Sequence, residues 1–364
     1  MKIALIAPLV AAIREPQRGG SQAFVSDLAR GLIDRGHEVH LYAASGSDVP
    51  GVPVIDTGVD HRSLSATLYR ASGAADDEPA AAESAFARVY SAVRDDRYDV
   101  IHNHAFDAAA IRLATALHAP VVHTLHLPPD AGVAAALRHA ARGDAPATVA
   151  GVSVFQASAW RRAVTVDAIL PPCVPTGLIN WSPRGGKGAV FAGRLSPEKG
   201  AAQAIDIAQA AGARIDVYGD SYDAEYARER IDPRRAERGV SVHPAVPRSS
   251  LWEAMARAAV ALCPAMWEEP FGMVAAEAQA CGTPVVAFKR GALGEVVIDE
   301  LTGFLVAPGD LHAAADAVRR TTGLSRSECR THAEHHLDLE RSLEAHEHLY
   351  RRVVGARAGA SVRG

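Results

Sequence analysis

Short apolar runs alternate with stretches of helical periodicity along the chain. The run Ile3–Ala7 is followed by a loop, and then Phe24, Leu28 and Leu32 recur at helical spacing. This predicts a helix from about Ser21 to Asp34, closed by Gly36 as a C-terminal cap. Glu38–Ala43 reads as the next strand, and the polar, Ala-rich stretch Ser72–Ser84 as a loop entering a helix that ends near Arg97. Val100–His102 and Val121–Leu125 are further strands around a helix Ala108–Leu117, and Val149–Val154 follows. The pattern then restarts with strands Ala189–Ala192, Arg214–Tyr218, Ser241–His243, Val260–Cys263, Pro284–Phe288 and Phe304–Val306.

Strand–helix repetition implies parallel sheets covered on both faces, and two series imply two doubly wound α/β domains. Pro171–Pro175 can continue neither a helix nor a central strand, so the join is expected there. The expected division is a Rossmann-like domain over 1–172 and a second over 173–340. A final helix, about Leu339 to Val353, is expected to pack with the segment 341–364 back toward the first domain, and the small, polar tail from Gly355 to be disordered. Ligands of such domains bind beyond the carboxyl ends of the strands, so two facing domains would hold a ligand in a cleft between them.

Composition narrows the partners. The 364 residues are 48% apolar, enough for a core in each half. The net charge is −4 and no dense Lys/Arg run occurs, which argues against nucleic-acid binding but leaves a peripheral membrane contact open. Cys173, Cys263, Cys281 and Cys329 lie far apart, as expected of free thiols in a reducing compartment. No apolar run reaches the length of a bilayer span. Lys2 followed by Ile3–Ile13 could serve as a secretory apolar region, but Pro8 interrupts it and no cleavage site follows; a buried first strand and a cytoplasmic location are the reading adopted.

Candidate chemistry follows the strands. After Ala189–Ala192 comes Gly193-Arg194-Leu195-Ser196-Pro197-Glu198-Lys199-Gly200 and then a helix, so two cations and a helix N-terminus share one loop. After Val260–Cys263 comes Glu268-Glu269-Pro270-Phe271-Gly272-Met273-Val274-Ala275-Ala276-Glu277, with Pro270 placed as a first helical residue. Glu277 lies among small core-seeking residues, where a carboxylate needs a partner; a Glu at the water-facing edge of an Ala-rich helix is the bland alternative.

These residues resemble the retaining glycosyltransferases of the GT-B fold, family 4 in particular. Glu269 and Glu277 match the family's E-x7-E motif, and Ala280–Ala287, Gly291–Val297 and Thr302–Val306 follow in the family's order. The resemblance implies that Arg194 and Lys199 hold a donor diphosphate and Glu277 the ribose hydroxyls. Glu269 would contact the transferred sugar, with the Phe271, Gly272 and Met273 backbone beside sugar and phosphate. The loop after Val217-Tyr218-Gly219 and the segment Ala245-Val246 would lie near the base. In the first domain, Gly19 and Gly20 would approach the anion, and Thr124-Leu125-His126 matches the segment whose His lies beside the donor sugar.

The other histidines leave alternatives open. His104 could line the acceptor pocket, His102 and His123 could be satisfied core histidines, or two or three of the four imidazoles could hold a metal. By resemblance the reaction moves a sugar from a nucleotide sugar, UDP-linked by family frequency, with retention and without a metal cofactor. The domains are expected to close over the donor. The acceptor, whether small molecule, lipid or glycan, and the oligomeric state are not specified. Alternatives are an epimerase or phosphorylase on the same fold, or a non-catalytic two-domain sugar-binding protein. A nicotinamide oxidoreductase lacks its G-x-G-x-x-G after the first strand. The sequence departs from many relatives at Pro171–Pro175, where they carry Asn-Gly, and the insert Ala71–Ala82 has no assigned counterpart.

Overall fold

The computed structural model describes residues 1–61, 64, 78–143 and 147–361. They divide into two compact units, one of Met1–Arg14, Ser21–Pro171 and Ser342–Gly364, the other of Glu15–Gly20 and Pro172–Arg341. Residues 71–77 of the insert lie outside the described residues, and its remainder opens the helix Glu78–Arg94.

The first unit is built on seven strands: β1 (Lys2–Ile6), β2 (Glu38–Ala43), β3 (Val54–Asp56), β4 (Val100–Asn103), β5 (Val121–Leu125), β6 (Thr148–Gly151) and β7 (Ala168–Ile169). All pairings are parallel, in the order β3-β2-β1-β4-β5-β6-β7. Ile3, Ala4, Leu5 and Ile6 are all fully buried, because β1 pairs with a strand on each side and helices cover both faces. That is why it reads as a continuous apolar run rather than an alternating one. Gly36, at φ 82°, ends the helix Gly20–Asp34, as its position predicts. The edge strands β3 and β7 are too short to leave a period in the sequence, and they go unpredicted.

The C-terminal helix corrects one expectation. It runs Leu339–Ser361, through Gly355 into the segment expected to be disordered. Ala356, Ala358 and Ala360 are strong helix formers, and the two interior glycines, Gly355 and Gly359, cost only about 1 kcal/mol each. Leu343 on this helix is fully buried, and a Cβ on Gly31 would come within 2.5 Å of its Cδ1. The helix also carries Glu347, which pairs with His37 Nε2 at 2.8 Å and Arg35 Nη1 at 3.2 Å.

Under the same helix lies a group of buried imidazoles. His102 Nδ1 pairs with the Tyr350 hydroxyl at 2.6 Å and its Nε2 with Thr124 Oγ1 at 2.7 Å, while His346 Nδ1 donates to the Ser342 carbonyl at 2.6 Å. Burial disfavours the imidazolium: His123 and His346 are each lowered to about 4, and His102 and His104 fall well below the ordinary histidine value.

The second unit carries six parallel strands: β8 (Ala189–Ala192), β9 (Ile215–Tyr218), β10 (Val240–His243), β11 (Val260–Cys263), β12 (Val285–Phe288) and β13 (Gly303–Val306). Their order is β10-β9-β8-β11-β12-β13. Its core joins Phe191, Val217, Leu262, Val286 and Phe288, which share one face of the sheet, with Ile205 of the helix Ala201–Ala210 that covers that face. In each unit the order reverses beside the first strand, between β1 and β4 and between β8 and β11. That is where a doubly wound sheet leaves a crevice at its carboxyl edge.

Two outcomes follow from this packing. Leu343→Ala should cost about 2–5 kcal/mol in urea unfolding, as for other buried leucines; a loss below about 1 kcal/mol would show that the helix does not close this core. The histidines give an acid dependence. Between the unfolded value near 6.5 and the folded values near 4, the unfolded chain binds more protons. Their contribution is therefore intact above pH about 6.5 and falls on acidification by about 1.4 kcal/mol per pH unit for each histidine kept neutral. Calorimetric melting temperatures at pH 7.5, 6 and 5 should fall in that order, and a level profile would contradict the buried neutral state.

Candidate active site

The two loops at the switch point of the second sheet are pressed together. Gly200, at φ 77°, ends the turn Pro197–Lys199, and a Cβ there would lie 2.1 Å from the Pro264 carbonyl oxygen. Only glycine allows that approach, and it brings the loop after β8 against the loop after β11. Lys199 Nζ consequently donates to Glu269 Oε2 at 2.8 Å and lies 4.5 Å from the centre of the Trp267 ring. The Trp267 indole donates to the same carboxylate oxygen at 2.9 Å. The Glu269 backbone is fixed too: its carbonyl accepts from Ala292 N at 2.8 Å, and Gly291 N donates to Glu268 Oε2 at 2.8 Å. Arg194, earlier on the first loop, pairs with Glu198 at 3.1 Å and lies over the Tyr222 ring at 4.8 Å.

The helix after Glu269 starts later than the position of Pro270 suggests. Gly272, at φ 108°, turns the chain in the left-handed region, and the helix is Met273–Ala280. A Cβ on Gly20 would come 3.0 Å from Met273 Cγ, so the Gly19-Gly20 turn abuts the first residue of this helix. Glu277 is 5% exposed and has its partner within the protein, where the sequence left it to sugar hydroxyls. Oε1 accepts from Arg248 Nε at 3.0 Å and Trp252 Nε1 at 3.1 Å, with Arg248 Nη2 also at 3.0 Å. Arg248 N in turn donates to Glu15 Oε2 at 3.1 Å.

The two glutamates are thus held alike. Each has one carboxylate oxygen fixed by a cation and an indole, while its other oxygen accepts no hydrogen bond among the described residues. The two segments expected near a base are tied to each other, since Ala245 N donates to Asp220 Oδ1 at 3.0 Å. Beside them Tyr218 and His243 stack with ring centres 4.6 Å apart.

In the first unit, His126 Nε2 pairs with His104 Nδ1 at 2.9 Å. Burial lowers His126 to about 3, so both rings are neutral and one must donate while the other accepts. His102 is a satisfied core histidine. His123 Nδ1 pairs with Asn103 Nδ2 at 2.9 Å, and its Nε2 is buried without a hydrogen bond among the described residues. Among those residues no group of three or more His, Cys, Asp and Glu is arranged to hold a metal ion. The four cysteines are free thiols, and burial pushes Cys173, Cys263 and Cys329 up to about 12. No helix of the described residues is long and apolar enough to cross a membrane.

Sequence reasoning missed Arg248, Trp252 and Trp267. Trp267 stands two residues before Glu269, but nothing in the local sequence marks its indole as a carboxylate donor. Arg248 and Trp252 lie one turn apart on the helix Arg248–Arg257, with no sequence relation to Glu277. The only signal was the rule that a buried carboxylate needs a cation.

The model of glycosyl transferases group 1 matches residues 182–331, and that of glycosyltransferase family 4 matches residues 18–173. The D-inositol 3-phosphate glycosyltransferase of Acidothermus cellulolyticus is 29% identical over 379 aligned residues, covering 88% of this chain and 82% of the relative. Glycogen synthase of Mycobacterium tuberculosis is 33% identical over 135 residues, 36% of this chain and 32% of the relative. Among solved structures, sucrose-phosphate synthase of Thermosynechococcus elongatus superposes with a TM-score of 0.79 at 20% identity, covering 98% of this chain and 99% of the other. Anabaena HepE, solved with UDP and glucose, gives 0.73 at 20% identity, covering 94% and 97%. With two family models matched in sequence along the chain and two Rossmann-like units beneath them, this protein is a glycosyltransferase of the GT-B fold.

Proposed function

We propose that the chain transfers a hexosyl group from a UDP-sugar to an acceptor hydroxyl with retention of configuration and without a metal cofactor. The observation that carries this reading is the paired arrangement of Glu269 and Glu277, each clamped through one oxygen and open at the other. An open carboxylate oxygen on a fixed side chain is suited to accept from sugar hydroxyls. Two of them, on one loop and the helix that follows it, match a donor that has a sugar at each end of a diphosphate. The E-x7-E resemblance assigns Glu269 to the transferred sugar and Glu277 to the ribose. UDP is supported by the HepE likeness, since HepE was solved with UDP and glucose.

Lys199, Arg194, the amides at Phe271–Met273 and the Gly19-Gly20 turn take the diphosphate. Lys199 is held by Glu269 at 2.8 Å, and an arriving diphosphate would draw its ammonium toward the greater negative charge. As the bond from the anomeric carbon to the phosphate oxygen breaks, these groups stabilise the leaving diphosphate, and the sugar passes through an oxocarbenium-like state. The departing phosphate oxygen takes the acceptor's proton on the same face, so the new bond forms with retention. His126, neutral and tied through Nε2 to His104, would use Nδ1 as a hydrogen-bonding group toward the transferred sugar rather than act as a cation. The relatives named for D-inositol 3-phosphate make a phosphorylated small polyol the first acceptor class to offer.

Thermal-shift screening of UDP-, GDP- and ADP-sugars tests the donor. A UDP-sugar should raise the melting temperature most, and a chain that responds to none would overturn the reading. With the responding donor, Lys199→Ala and Glu277→Gln should each lower kcat/KM by about 100-fold or more while remaining folded; unchanged turnover in both would remove the diphosphate and ribose assignments. His126→Ala should lower kcat by roughly 10–100-fold with the Kd for UDP nearly unchanged. Equal losses in both quantities would mark His126 as structural.

A further inference from the structure

Glu277 is unusual in how completely one side of it is committed. Arg248 Nε and Trp252 Nε1 both donate to Oε1, at 3.0 and 3.1 Å, and Arg248 Nη2 adds an ion-pair contact to the same oxygen at 3.0 Å. Neither nitrogen donates a hydrogen bond to Oε2. Arg248 and Glu277 are both buried, and the guanidinium also lies over the Trp252 ring at 4.8 Å. A glutamate has three rotatable side-chain bonds, and a carboxylate anchored through one oxygen by a planar fork and an indole cannot spin or swing away. The ion pair carries no net charge, so it adds no repulsion toward an anionic nucleotide.

From this geometry we infer that Arg248 and Trp252 are positioning residues for nucleotide recognition. They consume Oε1 so that Oε2 alone is presented, in one orientation, to the adjacent hydroxyls of a ribose. This rests on the reading that Glu277 takes the ribose. It adds that discrimination between ribose and deoxyribose is set by two residues that do not themselves touch the nucleotide. Without Arg248 the carboxylate would be free to turn both oxygens toward other donors, and the fixed acceptor would be lost while the phosphate groups kept theirs.

The experiment is a titration of the full chain with UDP and with 2′,3′-dideoxy-UDP, followed by tryptophan fluorescence. Two of the four tryptophans flank the glutamates and supply the signal. The unaltered protein should bind UDP about 10–100-fold more tightly, the range expected when hydrogen bonds to a charged group are lost. Arg248→Met should bring that ratio to within about threefold, with the dideoxy compound's own Kd little changed, and Arg248→Lys should restore part of the ratio. Trp252→Phe keeps the ring and removes the N–H; it should lower the ratio by a few-fold, and it stands as the test if Arg248→Met does not fold. A purely structural role would weaken both ligands equally and leave the ratio unmoved. A ratio preserved in Arg248→Met and Trp252→Phe but lost in Glu277→Gln would overturn the positioning role and leave the ribose reading standing. Equal affinities for the two compounds in the unaltered protein would overturn the ribose reading itself, and this inference with it.

Discussion

The second unit depends on the close approach of two loops at the carboxyl edge of its sheet. Parallel strands deliver every strand-to-helix loop to the same edge, and the reversal between β8 and β11 leaves their loops neighbours without a helix between them. Gly200 removes the last steric obstacle by letting the backbone meet the Pro264 carbonyl. Once the loops touch, the Lys199–Glu269 pair closes at 2.8 Å, and the turn at Gly272 starts the helix that carries Glu277. The candidate site therefore follows from sheet topology and one permissive residue, and its charged groups are held before any substrate arrives.

The second feature is economy in the use of carboxylates. A buried glutamate left bare would be costly, and one satisfied at both oxygens would be inert toward a ligand. Glu269 and Glu277 avoid both states by the same device, a cation plus an indole N–H on one oxygen. Tryptophan suits this role because its N–H only donates and its ring also lies against the cation. The nucleotide-sugar reading draws its force from this half-satisfied state.

The first unit solves a different problem, the burial of several imidazoles beneath the C-terminal helix. His102, His104, His126 and His346 are kept neutral by desolvation, and the Tyr350 hydroxyl, Thr124 and the Ser342 carbonyl absorb their polar edges. Neutrality leaves His126 a hydrogen-bond donor and acceptor without a positive charge. It also ties the unit's stability to pH, because each added proton would bring a charge into a layer where burial disfavours it.

The amino-acid sequence was sufficient for the strand–helix alternation, the two parallel sheets, the loops that carry Arg194, Lys199 and Glu269, and the family. Each of these is written locally, in apolar periodicity, in glycine and proline punctuation, or in a contiguous motif. It also showed that Glu277 needs a partner. It did not show which partner, because Arg248 and Trp252 come from a separate helix and meet the carboxylate only through folding. The short edge strands β3 and β7 and the extension of the last helix to Ser361 were likewise hidden, since two or three residues carry no period and an Ala-rich tail is read by its surroundings. Tertiary structure alone decided which oxygen of each glutamate is bound and which is open, because that choice depends on side chains converging from distant parts of the chain.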